Sequence, residues 1–245
     1  MQENIGITEE FSIRMKVAYS MMHLKSANYL TQKARAIEEK YNITNDVSER
    51  DEYEIYCLNA ILSSVSFLES HINEFFCDVR DDWPGITKKL NPDVVKTMQN
   101  LWDFGIPRTA SYPILKKYGV ALSLSNKDAF DTGSRLYQDI SNLVQLRNAL
   151  IHFESELIDI TGEHELAEKK VNNNSTALTL EKRLSSSFKA NPYYSKGNLF
   201  FPQRCISYGC ASWALRNAVT FTDLFSAKME IPISYDHIRS ELISL

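Results

Sequence analysis

Glycine and proline are scarce in this chain: 8 Gly and 7 Pro in 245 residues. So little punctuation over such a length argues against short strands joined by tight turns and favours long helices. Paired cysteine motifs are missing as well. The four cysteines, Cys57, Cys77, Cys205 and Cys210, show no Cys-x-x-Cys spacing, so buried thiols in a reducing compartment are expected instead of a disulfide frame or a zinc knuckle. There is no run of about 18 apolar residues to cross a membrane. The opening Met-Gln-Glu-Asn-Ile carries neither the basic stretch nor the apolar core of a secretion signal. The expectation is a cytoplasmic protein with no membrane partner. An excess of basic residues is also lacking: 27 Lys and Arg face 31 Asp and Glu, a net charge of −4. A protein that coats nucleic acid would be basic overall, so contact with RNA or DNA has to use a local patch. Gly-rich phosphate loops, nucleophile elbows and His-Glu-x-x-His are absent too, which argues against nucleotide hydrolysis, serine hydrolysis and zinc proteolysis. His23, His71, His164 and His237 lack metal-ligand spacing, and no metal or cofactor is expected.

What is present is helical periodicity. The pattern predicts one long helix over residues 7–41, with Thr8 as N-cap, and a second over 48–82. In the second, Leu58, Ile61, Leu62, Val65, Leu68, Ile72, Phe75, Phe76 and Val79 follow the 3.6-residue period. Residues 83–126 are broken by Gly105, Pro107, Pro113 and Gly119 and read as an insertion of short helices. One of these starts at the Asn91-Pro92 cap and runs to about Trp102. A third long helix is expected over 127–156. Residues 157–162 alternate as a short strand would, and 177–184 suit a second strand or a helical turn, so a small β-hairpin is possible there. The last long helix is expected over 203–229, with a short one from Tyr235. The whole reads as one all-α domain, residues 1–245, built as a bundle of long antiparallel helices. Its core is expected at about 48–156 and 203–229, with the N-terminal helix packed on it.

Two charged residues interrupt the apolar stripes. Arg147 falls among Leu143, Val144 and Ile151 of the third long helix, and Glu69 lies among Val65, Ile72 and Phe76 of the second. A charge on a core-facing stripe is costly unless paired, so a Glu69–Arg147 ion pair between the two helices is expected, with Asn73 one turn from Glu69. A structural ion pair is the plainer reading of both. Asn148 and His152 share a polar ridge beside Arg147, where packing does not demand them. A helix-capping or interface role is the plainer reading of His152.

Arg147-Asn148-Ala149-Leu150-Ile151-His152 on a late long helix resembles the HEPN superfamily, helical bundles whose ribonuclease members carry Arg, a polar residue and then His. Glu69 matches the acidic residue that supports the Arg in that family. The resemblance covers roughly residues 48–156 and does not single out a subfamily. The N-terminal helix, the 83–126 insertion and the tail beyond 160 depart from a minimal member. It implies a metal-independent endoribonuclease acting on tRNA or mRNA and leaving 2′,3′-cyclic phosphate and 5′-OH ends. It also implies a homodimer with a composite cleft and a toxin–antitoxin or phage-defence setting with a cognate antitoxin protein. The catalytic set implied is Arg147, Asn148 and His152, supported by Glu69 and Asn73. The alternative is a catalytically silent module of the same fold that binds RNA or a protein; a third reading is a helical scaffold with no site. Tyr193, Tyr194, Phe200 and Phe201 read as aromatics that plug a loop onto the core, or as a surface for stacking bases. Lys169, Lys170, Lys182, Arg183 and Lys189 read as a solvated face, or as a strip that holds a phosphate backbone.

Overall fold

The computed structural model describes residues 16–106, 112–153 and 176–242. Eight α-helices lie among them: α1 Ser20–Thr44, α2 Arg50–Arg80, α3 Pro84–Thr87, α4 Pro92–Asp103, α5 Ile114–Leu124, α6 Arg135–Ile151, α7 Thr176–Leu184 and α8 Tyr208–Met229. A tight turn at Phe200–Arg204 precedes α8, and a 3-10 turn at Asp236–Glu241 follows it. No strand occurs among the described residues, which are all-α. Residues 177–184, a possible second strand, belong to helix α7, which buries Leu180 and Leu184. The proposed first strand, 157–162, lies outside the described residues.

The helices α1 and α2 form an antiparallel hairpin. Near its turn, the Tyr53 hydroxyl donates to the Glu38 carboxylate. At the far end, Glu74 accepts the backbone N–H groups of Tyr19 and Ser20, each at 2.7 Å. That second contact corrects the expected start of α1. Residues 16–19 are not helical, and the helix begins at Ser20 because a carboxylate from α2 satisfies its first free N–H groups. The proposed Thr8 cap lies outside the described residues. At the other end, Asn45 takes a left-handed conformation (φ 53°) and its N–H returns to Tyr41 O, a common helix stop.

Local caps set three more starts. The Asn91 side chain accepts from Asp93 N with Pro92 at the first helical position of α4. Ser134 accepts from Tyr137 N at the start of α6, and Ser207 from Cys210 N at the start of α8. α6 thus starts eight residues later than the periodicity suggests, because Asp131 binds Gly133 N and turns the chain ahead of Ser134. α8 is likewise shorter than expected, since 200–204 forms a separate turn.

A continuous core runs through α2, α5, α6 and α8, filled by Leu68, Ile72, Tyr118, Leu143, Phe221 and Phe225 among others. Each such side chain contributes roughly 1.5–3 kcal/mol by leaving water. α5 is therefore part of the core, although its segment reads in the sequence as an insertion. A smaller cluster at the turn end of the α1–α2 hairpin gathers Ala34, Ile37, Tyr53 and Cys57. Tyr193 packs there, its ring 4.0 Å from that of Tyr41 and 5.2 Å from that of Tyr53. With Phe200 and Phe201 also buried, these aromatics plug their loop onto the bundle. Cys57, Cys205 and Cys210 are buried free thiols; burial pushes the Cys205 thiol up to about 12. No helix among the described residues is long and apolar enough to cross a membrane.

Candidate functional site

α6 carries the candidate residues, and its packing decides which way each faces. Its buried face is Asp139, Ile140, Leu143 and Leu146. Leu146, not Arg147, sits on the buried face, and Ile151 is 50% exposed. Arg147 lies at the edge of the apolar face, where the helix turns from core to solvent. Two facing residues settle its environment. Its Nη2 is 3.5 Å from Glu69 Oε2 on α2, and its Nη1 donates to Asn148 Oδ1 at 3.0 Å. Arg147 and Glu69 are each about a quarter exposed, at 26% and 24% of their side chains.

A third charge enters from α5. Lys117 is fully buried; its Nζ is 3.4 Å from Glu69 Oε1 and donates to Asn73 Oδ1 at 2.9 Å. Asn73 therefore supports Lys117 and not Arg147. Two cations share one carboxylate, so among the described residues the cluster carries one surplus positive charge. The buried member of the network is Lys117, and Arg147 is the outer member, held in place yet reachable. A sequence signal for Lys117 exists: it lies three residues after Ile114 and four before Ala121, both buried, so it interrupts an apolar stripe as Glu69 does.

An open cleft of about 490 Å³ lies over this cluster. Glu69, Arg147, Asn148, Ser141 and Gln145 line it, with Tyr112 and Pro113 from the chain leading into α5. A guanidinium fork and amide and hydroxyl donors around a partly apolar cleft suit an anion such as a phosphate.

His152 stands apart from the cleft. It is the residue after the last turn of α6; its backbone N–H binds Asn148 O, and its side chain is exposed. No hydrogen bond of the imidazole occurs among the described residues. Ile151 and Phe153 on either side of it are 50% and 47% exposed, and the Phe153 ring is 5.9 Å from that of Phe201. A single copy of the chain thus assembles Glu69, Asn73, Lys117, Arg147 and Asn148, and leaves His152 on the adjoining surface. No family model, curated protein or solved structure matches the chain.

The remaining histidines have other surroundings. His71 is buried among Phe67, Tyr118, Phe225 and Tyr235, and burial, with Lys16 nearby, lowers its pKa to about 4. His164 lies outside the described residues, as do Lys169 and Lys170. No group of His, Cys, Asp or Glu that would hold a metal ion occurs among the described residues.

Proposed function

We propose that this chain is a metal-independent endoribonuclease of the HEPN type that works as a homodimer. The observation that carries the reading is the divided carboxylate. Because Lys117 already holds Glu69, the Arg147 guanidinium is anchored without being neutralised, and it faces an open cleft beside Asn148. That arrangement suits the charge that builds on a phosphorane.

In the proposed reaction the ribose 2′-oxygen attacks the adjacent phosphorus, its proton passes to a base, and the P–O5′ bond breaks as an acid protonates O5′. The products are a 2′,3′-cyclic phosphate and a 5′-OH. Arg147 neutralises the phosphorane and Asn148 orients it. An imidazole titrates near neutral pH and suits the proton transfers. One imidazole does not serve as base and acid in a single step, so His152 from each of two copies is needed. The exposed Ile151 and Phe153 beside His152 offer apolar surface for that pairing. A toxin or phage-defence setting, with RNA as target and an antitoxin as regulator, goes with this reading.

The exposure of His152 outside the cleft favours a second reading, a binding module of the same fold with no catalysis. Incubation with tRNA and total RNA in EDTA, beside Arg147→Ala and His152→Ala, separates the two. A nuclease loses cleavage in both variants while His152→Ala still binds RNA. A binding module cleaves nothing in any form and loses affinity only with Arg147.

A further inference from the structure

The cleft over Arg147 is not the end of the polar surface on α6. A second groove, of about 440 Å³, lies toward the start of the helix. The two grooves share Ser141 and Gln145, which form a saddle between them. Over this saddle stands Arg183 of α7, whose Nη1 donates to Gln145 Oε1 at 2.8 Å. Gln145 in turn donates to Ser141 Oγ at 3.4 Å. Arg183 is exposed and has no carboxylate partner among the described residues. The other arginine of that groove, Arg135, is different: Asp139 neutralises it at 2.9 Å. Among the described residues, the second groove therefore holds one cation without a carboxylate partner, Arg183, aimed by an amide and open to solvent.

Gln145 and Asn148 are nearly one helical turn apart, so the anchor points of Arg183 and Arg147 on α6 are separated by about 5 Å along the axis. A nucleotide strand rises roughly 3.4 Å per residue when stacked and more when stretched, so two long arginine side chains anchored one turn apart over contiguous grooves are placed to take neighbouring phosphates. We propose that single-stranded RNA crosses α6 at the saddle, with one phosphate on Arg147 and Asn148 and the adjacent one on Arg183 and Gln145. Arg183 is a substrate-positioning residue in this arrangement. The inference rests on the phosphodiester reading of the Arg147 cleft and adds a second phosphate subsite to it.

The test uses a deoxyuridine octamer, which lacks the attacking 2′-OH, and a deoxyuridine dinucleotide with a single phosphate. Binding of each is followed by fluorescence anisotropy over a salt titration. Arg183→Gln is expected to weaken the octamer roughly tenfold at low salt and to lower its log–log salt slope by about 0.7. Its affinity for the dinucleotide, which needs only the Arg147 subsite, stays the same. Arg35→Gln removes an exposed cation from α1 and is expected to change neither probe. If Arg183→Gln binds the octamer with wild-type affinity and slope while Arg147→Gln weakens it, the second subsite is wrong and the cleft reading stands. If the wild type binds neither probe, both fail.

Discussion

Replacing Lys117 with methionine tests the divided carboxylate directly. The change keeps most of the length of the buried side chain, which becomes one heavy atom shorter, and removes its charge. Three consequences follow for stability. The cost of holding a buried ammonium disappears, which favours the variant. Asn73 Oδ1 loses the donor at 2.9 Å, and a polar group left without its partner costs about 1–3 kcal/mol. Glu69 keeps Arg147 and its partial exposure, so no carboxylate is stranded, and the 3–5 kcal/mol of a fully broken buried pair does not apply. The relief of the buried charge offsets part of the loss at Asn73, so the net is a loss of about 1 kcal/mol, or a Tm lower by roughly 2–4 °C for a chain of this size. The effect on binding is separate. The surplus charge of the cluster falls from one to zero, and Arg147 is then fully compensated by Glu69. A phosphate on the guanidinium lies on the order of 10 Å from the Lys117 ammonium. At an effective dielectric of about 20 that charge contributes roughly 1–2 kcal/mol, or five- to thirtyfold in affinity. The assay is equilibrium binding of an oligoribonucleotide in a His152→Ala background, at a temperature where circular dichroism shows the variant folded. Lys117→Arg, which keeps the charge, serves as the comparison. Unchanged affinity in folded Lys117→Met refutes the idea that Lys117 frees Arg147 for a ligand.

Other expectations follow from the same geometry. Arg147→Ala leaves Glu69 with Lys117, so thermal unfolding should shift by less than the equivalent of about 1 kcal/mol; a loss above about 3 kcal/mol would mean that Arg147 is the buried partner after all. His71, with its folded-state pKa lowered from 6.5 to about 4, makes stability depend on pH with a defined sign. As pH falls through that window the unfolded chain takes up a proton that the folded one refuses. Stability is therefore full above pH 6.5 and declines toward pH 4, by on the order of 3 kcal/mol. Urea unfolding of His71→Phe, which leaves the Tyr118 hydroxyl its bond to Leu68 O, should lack that part of the decline; parallel pH profiles for the two proteins would contradict it. Gly209→Ala brings a Cβ to 2.6 Å from Lys189 O and 2.9 Å from Lys189 N, both backbone atoms. It should cost about 1–3 kcal/mol in chemical unfolding, and a neutral result would mean that the 189 segment moves freely off α8.

How much of this was legible depended on whether the deciding contact was local. The start of α4 was readable because Asn91 and Pro92 cap it within three residues, and α2 because its apolar period runs unbroken for many turns. The start of α1 was not readable, because its cap is Glu74, more than fifty residues away. The late start of α6 has a local cause: Asp131, Gly133 and Ser134 form a turn and cap inside a stretch whose apolar spacing is otherwise helical. The Glu69–Arg147 contact followed from two charges on apolar stripes, and it is present at 3.5 Å. Its meaning changes with Lys117, which lies in the 83–126 segment that reads as an insertion of short helices. A stripe shows that a charge faces inward, not how many partners wait for it. In the Arg-x4-His segment, helix periodicity places Arg147 and Asn148 beside each other on α6, but it carries the helix on to residue 156 and His152 with it, whereas α6 ends at Ile151 and His152 lies past its last turn.

The central claim is that Arg147 and His152 cleave RNA without a metal, and the chemistry of the cut ends tests it most directly. RNA incubated with the wild type in EDTA should yield 5′-OH ends and 2′,3′-cyclic phosphates that open to monophosphates on acid treatment. Arg147→Ala and His152→Ala should yield neither. Cleavage that persists in both variants, ends of the opposite polarity, or intact RNA with the wild type on every substrate tried contradicts the account.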